Sequence, residues 1–134
     1  MYNLQLKPNE KVFLITVGGL IKQQESHNYM EELLKKLKTF NTSEFYLVLD
    51  TQELQASPQD MLDEEKKGIE LLVKTPFKGR FNIASKTLIA NMQAKRIAGD
   101  TLKLITTVHS YDKFVSIINL LNFRRAKVCL KPWC

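Results

Sequence analysis

Residues 44–50 read EFYLVLD, residues 51–56 read TQELQA, and residues 57–72 read SPQDMLDEEKKGIELL. Phe45 to Leu49 form an apolar run of strand length bounded by charge, the pattern of a strand buried on both faces. Asp50 ends the run, and a polar loop leads to Ser57-Pro58. A serine oxygen there caps free N–H groups in a helix's first turn, and proline at the first helical position gives up an N–H that has no partner. Asp60, three residues past Ser57, suits the positive end of that helix. Strand, loop and helix start in this order make the repeating unit of a parallel α/β sheet. In such sheets function collects at the strand C-termini.

Upstream, Tyr2, Leu4 and Leu6 alternate with polar residues, as in a half-exposed edge strand, and KPNE makes a hairpin turn into KVFLITV (Lys11–Val17). So short a turn makes these two strands antiparallel. Gly18-Gly19 follows at once. It reads as a bend leading the chain off the sheet rather than as an anion cradle, because the further glycine and lysine of phosphate loops are missing. A helix is expected over about Gln24–Lys38, with Met30, Leu33, Leu34, Leu37 and Phe40 at three- and four-residue spacing.

Downstream, a second helix runs from Pro58 to about Lys74, with Leu62, Ile69, Leu72 and Val73 on its buried stripe. Gly68 inside it marks either close packing or a weak point. A strand follows at Phe81–Ala84. Ser85 caps a third helix through Leu88, Ile89, Met92 and Ile97, ended by Gly99. Leu102–Val108 is the last strand, and Ser110 caps a final helix with Phe114, Ile117, Ile118 and Leu121 facing in. Residues 122–134 (NFRRAKVCLKPWC) form a basic tail, whose Val128-Cys129-Leu130 either adds an edge strand or packs on a helix. The expected fold is therefore α/β: a mixed, mostly parallel sheet of about five strands with four helices, ordered β-β-α-β-α-β-α-β-α. The domain covers 1–121 and the tail 122–134.

A chain of 134 residues makes one domain, and its 44% hydrophobic and 25% charged content is that of a globular protein. No apolar run is long enough to span a membrane, and the first residues lack the layout of a signal peptide, so a cytoplasmic address is expected. Cys129 and Cys134 are spaced as C-x4-C with no second cluster, which makes a poor zinc or redox motif. Charge is split along the chain. Residues 1–65 hold six Lys/Arg against eleven Asp/Glu (−5), and residues 66–134 hold fourteen against three (+11). Between Asp50 and Glu65 lie six acids and no base. Such a division speaks to partners and not to fold.

The element order, the Gly pair leaving the second strand, and an apolar strand ending in Asp before a Ser-capped helix together resemble the STAS fold, the domain of bacterial anti-sigma-factor antagonists and of sulfate-transporter tails. The stretches VLDTQEL…SPQD, FNIASKTLIANMQAKRIAG and TTVHSYDKFVSIINLL look like those of small bacterial STAS-like single-domain proteins. In the antagonist family a Ser or Thr at this helix N-terminus is phosphorylated by a partner kinase, which toggles binding. The resemblance makes Ser57 the candidate and Asp50 the strand-end acid. This chain departs from the pattern on both sides, with Ala56 where the family has an acid and Pro58 where it has glycine. Phosphate on Ser57 gains the helix dipole but faces Asp60, Asp63 and Glu64, so the serine reads first as a structural cap.

His27 and His109 stand in no nucleophile or metal motif, and no acid–base pair can be named from spacing. No catalytic residue, metal or cofactor is therefore expected. The preferred reading is a non-enzymatic interaction module. Its acidic stretch (Asp50, Ser57, Asp60) and its basic surface (Lys95, Arg96, Arg124, Arg125) each recruit a protein partner or a second copy. The alternative is a small-ligand pocket for a lipid or nucleotide at the strand ends, edged by Gly18, Asp50, Ser85 and His109. A third reading is weak RNA binding by the basic half, with few rings left to stack on bases; no DNA partner is expected.

Overall fold

A computed structural model of the chain describes residues 1–55, 61–87, 92 and 104–128, with 122–128 as helical backbone only. Strands β1 (Tyr2–Lys7) and β2 (Val12–Val17) form the antiparallel hairpin. Its turn closes with Lys11 in the left-handed region (φ 58°) and Lys11 N–H donating to Pro8 O. Helix α1 (Gln23–Leu37) and a 3-10 turn (Thr42–Glu44) lead to β3 (Tyr46–Asp50), and α2 (Leu62–Lys74) leads to β4 (Gly79–Ile83). The last described elements are β5 (Thr106–Val108) and α3 (Tyr111–Val128).

The five strands lie in sequence order, β1-β2-β3-β4-β5, with only β1 antiparallel. The EFYLVLD run thus supplies the middle strand, as its apolar character on both faces requires. Alternation along the strands feeds two cores. On one face Val12, Tyr46, Val48, Phe81, Ile83 and Val108 pack against Phe114 and Ile118 of α3. On the other, Phe13, Ile15 and Leu47 pack against Leu33 of α1, Leu72 of α2 and Phe77. Two successive parallel steps in one direction, each right-handed, place α1 and α2 on the same face. There Gly68 of α2 faces α1: a Cβ at that position would lie 3.7 Å from Met30 Sδ, an ordinary contact. An alanine fits, so the glycine is a weak point in the helix rather than a packing requirement.

Several boundaries differ from expectation. Strand β4 starts at Gly79 rather than Phe81, because two residues with poor strand propensity are used for other tasks. Gly79 fits against the Tyr46 ring, and Arg80 donates to the carbonyls of Leu72, Val73 and Thr75, closing the C-terminal end of α2. Strand β5 has only three residues, and Leu104, expected inside it, is 56% exposed. Helix α3 runs to Val128, through the first half of the stretch read as a tail, so Val128 is helical. Ser110 caps α3 as expected, its Oγ accepting from Lys113 N–H at 3.2 Å. The second helix's expected first turn (Pro58–Asp60) and nearly all of the expected third helix lie outside the described residues. No described helix is long and apolar enough to cross a membrane.

Candidate functional site

Parallel strands carry their C-termini to one edge of the sheet. The register aligns Thr16, Asp50, Ile83 and Val108 across it. Three of the residues expected at this edge, Gly18, Asp50 and Ser85, are drawn together by the 51–55 loop. His109 is exposed at the far flank, one residue past Val108 and two strands from Asp50. Ser57, Asp60, Lys95 and Arg96 lie outside the described residues. Arg124 and Arg125 sit on the helical backbone of α3.

Asp50 is half-buried, and its Oδ1 accepts from both the backbone N–H and the side-chain amide of Gln52, each at 3.1 Å. That arrangement turns the chain immediately after the strand, which is a local structural task for the acid. Thr51 ties the turn to β4, with its N–H and its hydroxyl both donating to Ile83 O. The glycine pair then forms a bridge to the same loop. Gly19 N–H donates to Glu53 O, Gln55 N–H donates to Gly19 O, and Gly19 adopts φ 68°, which glycine reaches without strain. Gly18 N–H donates to Met1 O at 2.8 Å. Both glycine N–H groups are therefore committed to carbonyls, and the pair is a bend and not an anion cradle.

The loop is fastened on its other side by Ser85. This buried hydroxyl donates to Leu54 O at 2.8 Å and accepts from Thr87 N–H at 3.1 Å. Lys86 N–H donates to Gln52 O, and the Lys86 ammonium pairs with the Glu53 carboxylate. The hydrogen bond to Glu53 holds the Lys86 ammonium above the ordinary lysine value, and the charges of Glu53 and Asp50 act in the same direction against a small desolvation penalty. Both side chains are about two-thirds exposed, so the pair adds little stability.

The result is a knitted rim. Its polar groups satisfy one another, and it presents Leu20 (50% exposed) and the loop residues outward. Sequence reasoning placed the strand ends here but missed Leu54, Thr51 and Lys86, whose partners lie about thirty residues away and leave no local signature. Among the described residues no group of three or more His, Cys, Asp or Glu is placed to hold a metal ion.

No family model, curated protein or solved structure matches this chain.

Proposed function

We propose that the chain is a non-enzymatic protein-binding module of regulatory type, similar to STAS domains, that meets its partner with the C-terminal rim of the sheet. The observation that carries this reading is the rim's closure: the hydroxyl of Ser85, the carboxylate Oδ1 of Asp50 and the Gly18 and Gly19 N–H groups are already bonded within the protein. Among the described residues a small ligand finds little there to hold. A partner protein meets a shaped surface whose described polar groups are bonded, with Leu20 exposed beside the 51–55 loop as an apolar anchor. The stretch from Asp50 to Glu65 adds six acids and no base, which favours a partner with a basic face. The β-β-α-β-α-β order, the glycine bend and the strand ending in Asp50 support the STAS-like part of the reading.

Capture from native cell extract tests it. Wild-type chain is expected to retain a protein that dissociates as salt rises, while Leu20→Arg, an exposed change that leaves the cores intact, is expected to lose it. Equal retention by wild type and variant would refute the assignment of the rim.

A further inference from the structure

A second surface is formed by the β1 edge of the sheet together with α1, and it uses none of the 51–55 loop. β1 is an edge of the sheet. The Gly18 N–H to Met1 O bond fixes the alternation of the antiparallel ladder: Asn3, Gln5 and Lys7 face Thr16, Leu14 and Val12 as bonded pairs, so the N–H and C=O groups of Tyr2, Leu4 and Leu6 point away from β2. Among the described residues no strand lies on that outer side. The strand has no proline and no bulge, and its one charged side chain, Lys7, stands at its last residue, so the edge from Tyr2 to Leu6 is not blunted. Tyr2, Leu4 and Leu6 are also the residues on its apolar face, each half-buried against α1.

Beside this edge runs an open groove lined by Leu4, by Glu32, Lys35 and Lys36 of α1, and by Thr39 just past its end. The Glu32 carboxylate also lies near the Tyr2 phenol, so strand and helix meet along this groove. The charges along the helix follow the order acid then base, and a two-fold axis reverses that order.

We propose that two copies of this chain pair antiparallel along β1, joining their sheets edge to edge about a two-fold axis through Leu4. In that register Leu4 faces Leu4 of the other copy and Tyr2 faces Leu6. Each of these pairs exchanges two main-chain hydrogen bonds through the groups that point outward. All the paired side chains lie on the α1 face, so the two apolar rows merge between the helices. Leu4 lies beside the 32–36 stretch of α1, so the axis through it lays Glu32 against Lys36 of the other copy, twice by symmetry. Charge complementarity is thus built into one helix face, and the fitting occupant is a second copy.

Sedimentation equilibrium and light scattering on the full chain test the proposal. The expected result is a concentration-dependent dimer. Glu32→Lys and Lys36→Glu are each expected to raise its dissociation constant by about tenfold or more, since each sets like charges across the interface. The double variant, which restores opposite charges in both copies, is expected to recover wild-type affinity. Leu4→Pro removes the N–H at the axis, which the β1–β2 ladder does not use, and is expected to give a folded monomer by circular dichroism. A monomer at all concentrations would overturn the proposal. So would a dimer indifferent to both charge reversals and to the proline.

Discussion

Gly79→Ala should destabilise the protein, although most glycines placed in strands weaken them. An added Cβ would stand 2.9 Å from Cδ1 and 3.1 Å from Cε1 of Tyr46. That ring has no room to step aside: it is buried, and it packs edge-on to Phe81 at 6.2 Å and to Phe114 at 6.3 Å between ring centroids. Overpacking of this kind costs about 1–3 kcal/mol. Against it stands a gain of about 0.4–1 kcal/mol from restricting the unfolded chain. The net expectation is a loss of about 1–2 kcal/mol. An unfolding entropy of about 2.1 cal/mol/K per residue, taken over the whole chain, turns this into a fall in Tm of roughly 4–7 °C. Urea titration and thermal melts by circular dichroism read both quantities. Tyr46→Leu supplies the control, because without the ring the same alanine should cost nothing or stabilise, giving a clear coupling energy in the cycle. A Gly79→Ala protein as stable as wild type, or an equal loss in both backgrounds, would refute the packing explanation.

Gly68→Ala should have the opposite sign: its Cβ meets Met30 Sδ at an ordinary 3.7 Å, so the helix gains about 0.5–1 kcal/mol by urea titration. Arg80→Met should cost about 1–3 kcal/mol by the same titration, because three carbonyls at the end of α2 lose their donor. Burial pushes the Tyr29 phenol well above its ordinary value of 10.0. Above pH 10 the unfolded chain therefore releases this proton while the folded chain keeps it, and stability falls as pH rises. Tyr29→Phe should flatten that alkaline fall in pH-dependent melts while leaving stability near neutral pH little changed.

The features most readable in the sequence were those with a local cause. Phe45–Leu49 announced a central strand because Leu47 serves one core while Tyr46 and Val48 serve the other, so no polar residue is tolerated between them. Helix α1 followed from its three- and four-residue spacing, and Ser110 from its position before an amphipathic run. What escaped had a distant cause. Gly79 and Arg80 look unlike strand residues until Tyr46 and the end of α2 are beside them. The basic stretch after Leu121 is the exception with a local cause: its charge reads as a tail, yet alanine, arginine and lysine are good helix formers and the helix simply continues. At the site, convergence of Gly18, Asp50 and Ser85 followed from parallel topology alone. The lacing of the 51–55 loop to both neighbours did not, since hydrogen bonds between distant segments depend on the assembled register.

The most direct test of the central claim is site-specific photocrosslinking in native cells, with a photoreactive residue in place of Leu20 in one variant and in place of Lys67, an exposed position on α2, in another. The proposed rim predicts a discrete crosslinked protein from position 20, weakened by Glu53→Lys and by raised salt, and none from position 67. Crosslinks from position 67 with none from position 20 would contradict it.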